Sequence, residues 1–306
     1  MEKKYKYSIV ITMYNPDWDK LLLTLNSAIS QKNIDFEIVI CDDGSKNNFE
    51  KELKAYFYTK NFDDYKLVMN PVNGGTVKNV ISGFTASSGE YVKDISPGDY
   101  FYDDSVMSKF DAVIKESDAD IYFGNAVFYY DECNGVNKNR VLFPEKHNPI
   151  DYKPYIKNDK NRIRFNYLVK HDYVLGAVFI TKRELQLKYL KKIENYVKYA
   201  EDCSFIWMIA AGCTIKYVDI PFIWYEYGSG ISTQGSDRWL KIIYEDNRNV
   251  YKLMLDSGDI KKWVYNISYS NNKFVKITLR LFVFGVMKKI KNIFKEKQNN
   301  LMKKDF

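Results

Sequence analysis

The chain has 306 residues, 46% of them hydrophobic, which is enough apolar material for one large domain or for two that share a sheet. Its net charge of +7 is unevenly distributed, because residues 273–306 carry +8 and the remainder carries −1. A neutral body with a basic tail argues against nucleic-acid binding by the globular part. With 2 histidines in the whole chain, a histidine-based zinc site is also improbable.

The N-terminal sequence and the cysteines predict a reduced, cytoplasmic protein. Residues 1–16 run directly into a strand, without the apolar stretch and cleavage site of a signal peptide. The apolar run at 205–213 is too short to span a membrane. The 4 cysteines form no CxxC pair, which favours buried thiols.

Strands and helices alternate through the first hundred residues. The pattern predicts strands at 7–14, 36–43, 65–70 and 89–96. It also predicts three helices, of which the first starts near Pro16 and Asp17 and the other two span about 47–58 and 74–87. Alternation of this kind predicts right-handed crossovers and a parallel sheet. The strand ends read TMYNP, CDDGS, NPVNGG and SPGDY, all polar. Because ligands bind beyond the carboxyl ends of such strands, these four segments predict a binding edge.

The second half is less regular. We expect a long strand at 119–132, a strand entering a helix at 174–187, an apolar helix at 199–213 and a strand at 215–233 that ends in an aromatic, glycine-containing loop. Residues 133–170 are polar and irregular, which predicts a long loop or lid.

In this order, the segments TMYNP, CDDGS, NGGTVKN, GEYVKDISPGDY and AED resemble the family 2 glycosyltransferases of the GT-A fold. The resemblance covers roughly residues 5–235. It implies an α/β fold with a GT-A-like, doubly wound, mostly parallel sheet flanked by helices. The implied division is a nucleotide-sugar-binding half (1–118), an acceptor-binding half (119–235) and a helical C-terminal extension with a basic amphipathic tail (236–306).

The resemblance also implies an inverting enzyme that moves a sugar from a nucleotide diphosphate, UDP before dTDP or GDP, to an acceptor hydroxyl. Tyr14 and Asn15 would flank the base and ribose, next to Thr12. Asp42 or Asp43 would accept a hydrogen bond from a base N–H, a role that suits an ionised carboxylate. An Asx turn that opens the next helix is the structural alternative for this acidic pair.

The segment NGGTVKN matches the family's glycine-rich segment. Gly75, with Gly74, would let the backbone approach the ligand. Lys78 stands where arginine is more usual, so a bidentate grip becomes a point charge. A solvated helix lysine is the alternative.

KDISPGDYF fills the place of the family's metal motif, commonly Leu-Asp-x-Asp-Asp. Ser96 and Gly98 replace its two spaced aspartates, and Asp99 keeps the carboxylate in register. The resemblance therefore implies Mg²⁺ or Mn²⁺ at Asp99. Asp94 is the weaker candidate, since its side chain is expected to point into the sheet. A metal-independent site, with Lys78 and the aromatic loop bearing the charge, stays open.

Glu201 and Asp202 match the acidic pair at the start of the acceptor-side helix, and the second acid usually acts as general base. Two acids stabilising a helix N-terminus are the alternative. Gly176 and Ala177 would line the acceptor pocket. Tyr227 and Ser232 belong to a stretch resembling the family's closing loop, where they could donate to phosphate oxygens.

The basic tail is amphipathic. Residues 274–294 combine apolar side chains at helical spacing with lysines, which predicts peripheral association with an anionic membrane at the inner face of the cell membrane. A helix packed on the catalytic domain is the alternative. The expected acceptor is a glycan, glycoprotein or lipid-linked precursor. Two other functions remain, a nucleotidyltransferase and a non-catalytic carbohydrate-binding or scaffolding relative.

Overall fold

The computed structural model describes residues 4–132, 139–143, 150–227, 236–270 and 272–285. The chain divides into two compact units, residues 1–250 and 251–306. The predicted subdivision at residues 118 and 235 stays a prediction.

The first part of the larger unit is an alternation of parallel strands and helices, as predicted. Its elements are β1 (Tyr7–Met13), α1 (Trp18–Ile29), β2 (Phe36–Asp42), α2 (Glu50–Thr59), β3 (Tyr65–Met69), α3 (Thr76–Ala86) and β4 (Tyr91–Ile95). β1 pairs in parallel with both β2 and β4, and β2 pairs in parallel with β3. The carboxyl ends of these strands therefore meet at one edge.

Local sequence accounts for these elements. Every residue of β1 is buried, which explains its continuous β-branched, apolar sequence. Asp17 caps α1 by accepting a hydrogen bond from Lys20 N at 3.0 Å, and Leu21, Leu25 and Ala28 face the core. The predicted start of this helix is confirmed.

The second part of the larger unit adds strands of both directions. It contains β5 (Tyr100–Phe101), α4 (Val106–Glu116), β6 (Ile121–Glu132), β7 (Asn139–Phe143), α5 (Lys153–Ile156), α6 (Lys160–Phe165), a π-helical turn (Asn166–Lys170), a 3-10 turn (Gly176–Val178), β8 (Phe179–Lys182), α7 (Arg183–Ile193), α8 (Cys203–Ala210) and β9 (Ile215–Glu226). The strand order is β3-β2-β1-β4-β8-β6-β9-β5, and β7 pairs with β6. β8 is antiparallel to β4 and β6, whereas β6 and β9 are parallel.

Three predicted elements differ from the structure. The apolar helix predicted at 199–213 is confined to Cys203–Ala210, because Asp246 binds the backbone of residues 198–200 in a non-helical loop. The strand predicted from 174 begins at Phe179, after the 3-10 turn. The predicted loop at 133–170 contains β7 and short helices from 153 onward, which a search for long periodic runs misses.

The C-terminal elements are α9 (Asp237–Asp256), α10 (Lys262–Tyr269) and a helix at 273–285, here α11. In the second unit, Tyr251, Met254 and Ile267 are buried. Among the described residues, no helix is both long and apolar enough to cross a membrane.

Candidate functional site

The acids of CDDGS organise two loops at the edge of the sheet. Asp42 ends β2, and its carboxylate accepts hydrogen bonds from Ser45 N at 2.8 Å and Ser45 Oγ at 2.5 Å. Asp43 accepts from Gly74 N at 2.8 Å and Gly75 N at 2.9 Å. Burial raises the pKa of Asp43 above its ordinary value. Asp42 thus orders the loop that follows β2, and Asp43 joins this loop to the one that follows β3.

Residues at the end of β1 lie beside these loops. Tyr14 is 53% exposed, and Asn15, with a positive φ of 45°, accepts from Lys46 N at 3.1 Å. Thr12 points the other way along the edge, where its hydroxyl donates to Asp94 Oδ1 at 3.1 Å. The end of β1 therefore connects the CDDGS loop with the end of β4.

The glycine-rich segment enters α3 under steric constraint. Gly75 has φ 91°, and a Cβ there would lie 2.6 Å from Lys198 O, so only glycine fits without strain. Lys78 is exposed on the first turn of α3, and Lys198 is exposed on the facing loop. Within the described part of the chain, neither ammonium group is paired with a carboxylate. Two exposed ammonium groups therefore lie at this edge, beside the carboxylates of Asp42 and Asp43.

A cavity of about 390 Å³ opens beside this edge, between β4, α3, α7 and α8. The residues that line it include five carboxylates: Asp94, Asp99, Glu201, Asp202 and Glu226. Gly176 and Ala177 line it as well. The structure therefore brings together Asp99, Glu201, Asp202, Gly176 and Ala177, five of the residues that the sequence predicted for the site.

The two acids of KDISPGDYF share this cavity. Asp99 Oδ1 accepts from Glu226 N at 2.9 Å, which attaches the β4–β5 turn to β9. Burial raises the pKa of Asp99 to about 7 and that of Asp94 to about 6. The prediction that Asp94 points into the sheet is wrong. Side chains alternate along a strand, and the neighbouring Lys93 is the residue that points away from the cavity, with its ammonium 5.6 Å from the Phe222 ring.

Burial also lowers the pKa of Lys93 to about 8. Its ammonium donates to Asp94 O, and the charges of Asp94 and Asp99 oppose the lowering. Lys93 therefore places a buried ammonium group behind β4, on the side away from the cavity, and the two carboxyl groups that line the cavity take up a proton readily near neutral pH.

Glu201 and Asp202 lie at the start of α8, and both line the cavity; Asp202 has accessible surface there, although the cavity walls shield its carboxylate from bulk solvent. Asp202 is the N-cap residue, but its side chain makes no capping hydrogen bond. Burial by the surrounding walls raises the pKa of both acids, and the charge of Asp202 raises that of Glu201 further, well above its ordinary value. In such a coupled pair Glu201 keeps its proton more readily, so that the negative charge resides on Asp202.

Asp246, in α9, holds the loop that precedes this pair. Its carboxylate accepts from Tyr199 N at 3.0 Å, Ala200 N at 3.2 Å and Lys198 N at 3.4 Å, and the residue is 7% exposed. On the opposite side, a Cβ at Gly176 would come within 3.2 Å of Asp202 Cβ. Asp202 is thus positioned by a buried acid behind it and by a glycine beside it.

The predicted closing loop is described as far as Tyr227. Tyr227 is 49% exposed; its ring stacks on Phe128 at 5.6 Å, and its N–H donates to Tyr129 O at 2.8 Å. Tyr225 lines the cavity instead. Ser232 lies outside the described residues.

The sequence pattern of the family described as Glycosyl transferase family 2 matches residues 8–183, more than half of the chain. The chain belongs to this family. The match confirms the predicted family and, with it, a glycosyltransferase domain.

A relative and several solved structures agree with this assignment. An uncharacterized glycosyltransferase of Rickettsia conorii is 28% identical over 144 residues, which are 47% of this chain and 23% of that protein, so the match spans about a quarter of the relative's length. The crystal structure of S. aureus TarS 1–349 has a TM-score of 0.56 at 19% identity, covering 88% of this chain and 73% of TarS 1–349. The same TarS segment in complex with UDP-GlcNAc gives a TM-score of 0.54 at 18% identity, covering 88% of this chain and 74% of that chain. These likenesses confirm the GT-A-like α/β fold.

The divalent metal implied by the family does not fit the donor set of this chain. Ser96 and Gly98 offer no carboxylate, and one oxygen of Asp99 is occupied by the Glu226 N–H. Among the residues with described side chains, no three or more His, Cys, Asp or Glu groups are arranged to hold a metal ion. Mg²⁺ or Mn²⁺ at Asp99 therefore stays a prediction, which the donor set of the described residues does not support.

Four residues near the site were missed by the sequence analysis: Lys20, Gln186, Glu226 and Asp246. Lys20 Nζ, in α1, forms an ion pair with Oε1 of Glu226, the last residue of β9, at 2.5 Å. A Cβ at Gly98 (φ 104°) would collide with Glu226 Oε2, so the glycine that replaces a family aspartate makes room for this acid. Because the pairing of β5 with β9 joins residues more than 120 positions apart, no local pattern could have indicated Glu226.

Proposed function

We propose that this protein is an inverting glycosyltransferase that moves a sugar from a UDP-sugar to an acceptor hydroxyl of a cell-surface glycan or a lipid-linked precursor. The observation that carries the proposal is the shared cavity. Glu201 and Asp202 at the start of α8 face the same space as the end of β4, which leads directly to the edge that carries Lys78 and Lys198. The TarS complexes with UDP and UDP-GlcNAc, on the same fold, support a nucleotide-sugar donor.

In this proposal the donor lies across two regions that differ in charge. The acidic side chains of the cavity, Asp202 above all, disfavour a diphosphate there, whereas Lys78, Lys198 and the N-terminus of α3 attract it to the edge. The nucleotide diphosphate therefore binds at the edge, near Tyr14, Asn15 and the CDDGS loop, and the sugar extends into the cavity. The developing negative charge of the leaving diphosphate is stabilised by these lysines.

Asp202 acts as the general base. Its exposed carboxylate accepts the proton of the acceptor hydroxyl as that oxygen attacks the anomeric carbon and the bond to the diphosphate breaks. Glu201, whose pKa is raised well above its ordinary value, remains protonated and leaves Asp202 as the charged partner. Asp42 and Asp43 support the site through the loops that they hold.

The experiment that tests this function measures UDP release from a panel of UDP-sugars, together with UDP binding by calorimetry. We expect UDP to bind and at least one UDP-sugar to be hydrolysed slowly without an acceptor. Weaker binding of UMP than of UDP would show that the diphosphate contributes. If UDP does not bind, whether or not Mn²⁺ is present, the proposal fails.

The C-terminal helix supports a further part of the proposal, peripheral binding to anionic membranes. In α11 the apolar side chains Phe274, Ile277 and Leu281 are 77%, 57% and 71% exposed, and they recur at the spacing of one helix face. Lys273, Lys276 and Arg280 follow the same spacing one position earlier. A basic, apolar stripe of this kind matches a helix lying in the headgroup region.

Vesicle sedimentation tests this attachment. We expect the full chain to sediment with vesicles containing phosphatidylserine and a Leu281→Asp, Phe282→Asp double variant to stay in the supernatant. Sedimentation with purely zwitterionic vesicles is the control for charge. Unchanged binding by the double variant would exclude α11 as the attachment site.

A further inference from the structure

The β4–β5 turn, which fills the place of the family's metal motif, is fixed by three neighbouring elements. Thr24 in α1 accepts a hydrogen bond from Gly98 N at 3.0 Å and donates to Asp99 O at 2.6 Å. The Tyr129 hydroxyl in β6 donates to Gly98 O, and Asp99 Oδ1 accepts from Glu226 N in β9 at 2.9 Å. The turn is therefore a fixed part of the fold at the wall of the cavity.

Glu226 occupies the space beside Gly98. This glycine has φ 104°, and a Cβ there would collide with Glu226 Oε2. An aspartate at position 98, as in the usual family motif, and Glu226 in its present place therefore exclude one another. The carboxylate at this point of the cavity wall comes from the end of β9 instead of from the motif.

Lys20 binds the other oxygen of this carboxylate. Its Nζ lies 2.5 Å from Glu226 Oε1, and among the described residues Glu226 is the carboxylate with which it pairs. The Lys20 side chain is 35% exposed and that of Glu226 is 9% exposed, so the ammonium group is the more accessible side of the pair. An ammonium group donates three hydrogen bonds, and Glu226 accepts one of them. Two donors of Lys20 are therefore left for a ligand.

The position of Lys20 in the chain places it next to the proposed nucleotide site. It lies in the first turn of α1, whose cap residue Asp17 closely follows Tyr14 and Asn15 at the end of β1. Its ion pair with Glu226 connects this turn to the wall of the cavity. A UDP-sugar with its base near Tyr14 and its sugar in the cavity has its diphosphate between these two points. The Lys20 ammonium group lies on this interval.

We infer that Lys20, held by Glu226, binds the diphosphate in place of the cation of the family's metal motif, so that donor binding and cleavage need no divalent metal. This inference rests on the proposed function. The ammonium group donates to phosphate oxygens, and such charge-assisted hydrogen bonds are among the stronger ones. When the bond between the anomeric carbon and the diphosphate breaks, its electron pair goes to the phosphate oxygen, and Lys20 stabilises that charge together with Lys78 and Lys198.

The test compares the affinities of UDP and UMP by calorimetry, once with EDTA and once with Mn²⁺. We expect the native protein to prefer UDP over UMP equally under both conditions. Lys20→Met, which keeps a long side chain and removes the charge, should weaken UDP binding about tenfold and leave UMP binding unchanged. Lys20→Arg keeps the charge and should retain most of the preference. Lys32→Met is the matched control, because Lys32 forms an exposed ion pair with Asp104 beyond the other end of α1.

A double variant separates phosphate binding from a purely structural role. Lys20→Met leaves the Glu226 carboxylate without its cation, which is expected to lower the thermal midpoint. Adding Glu226→Gln removes that unpaired charge, so the double variant should melt higher than Lys20→Met while its preference for UDP stays lost. A preference that returns in the double variant would overturn the inference, because Lys20 would then act only by neutralising Glu226.

Two other results would overturn the inference while the proposed function stands. One is a preference for UDP that survives in Lys20→Met, and the other is a native preference that EDTA abolishes and Mn²⁺ restores. If UDP does not bind with or without Mn²⁺, both the inference and the proposed function fail.

Discussion

Asp99→Asn is expected to stabilise the protein increasingly as the pH rises from 5 to 7.5. Asp99 is 7% exposed, and burial raises its pKa from 3.8 to about 7. A carboxyl group with a raised folded-state pKa stabilises the fold fully below its unfolded pKa and loses that contribution as the pH rises through the folded value. Asparagine retains an oxygen that can accept from Glu226 N, but it never becomes charged.

The magnitude follows from these two pKa values. At pH 5 the carboxyl of folded Asp99 is still protonated, whereas the unfolded chain is mostly ionised. Integration of the proton linkage from pH 5 to pH 7.5 shows that the free energy of unfolding of the native protein falls by about 2.5 kcal/mol relative to that of the variant. The thermal unfolding midpoints of the variant and the native protein should therefore move apart by roughly 5 °C or more between pH 5 and pH 7.5.

Thermal or urea unfolding followed by circular dichroism measures this difference at the two pH values. The informative quantity is how the difference in unfolding free energy between variant and native protein, here the gap, changes with pH. Any cost of the substitution that does not depend on pH cancels in this comparison. Asp118→Asn, with a side chain 91% exposed, is the control and should show no widening. A gap that stays constant or narrows would refute the reasoning and mean that Lys93 keeps Asp99 ionised.

Three further predictions concern the base and the metal motif. Gly176→Ala should lower kcat about tenfold with little loss of stability, because the new Cβ would crowd Asp202 Cβ at 3.2 Å. Gly285→Ala, whose new Cβ would meet nothing within 4 Å, is the control. An unchanged kcat in Gly176→Ala would contradict the prediction. Asp246→Asn should lower kcat more than it changes KM and move the acidic limb of the pH profile to lower pH, because the Asp246 charge raises the pKa of Asp202; an unmoved limb would argue against this coupling. Calorimetric titration with Mn²⁺ in the absence of nucleotide should show no micromolar binding, since Ser96 and Gly98 replace two carboxylates.

The sequence was most informative where local patterns determine structure. The four parallel strands and the start of α1 at Asp17 follow from periodicity and capping residues, and they place polar strand ends at one edge. The acids at 201 and 202 were found because they precede an apolar run. That these two acids share a cavity with Asp99 could not be predicted without the order of the sheet, in which β8 lies next to β4, and the packing of α8 against the same cavity.

The remaining features depend on contacts between distant segments. Glu226 reaches the site through the pairing of β9 with β5. Asp246, in α9, acts on it through its carboxylate, which accepts hydrogen bonds from three backbone N–H groups. Asp94 was misjudged because the register of β4 against β1, which pairs Asp94 with Val10, decides which side chains face α3. Gln186 looked like an ordinary helix residue, and only its burial in the cavity wall distinguishes it.

The central claim is that Asp202 is the general base of a UDP-sugar-dependent transfer. The most direct measurement compares UDP release by the native enzyme and by Asp202→Asn, using the best donor of the panel, with UDP binding measured in parallel. We predict a rate lowered by a factor of about 100 or more, the usual contribution of a positioned base, with UDP affinity unchanged. Equal turnover by Asp202→Asn would contradict the account, because the carboxylate would then have no part in the reaction.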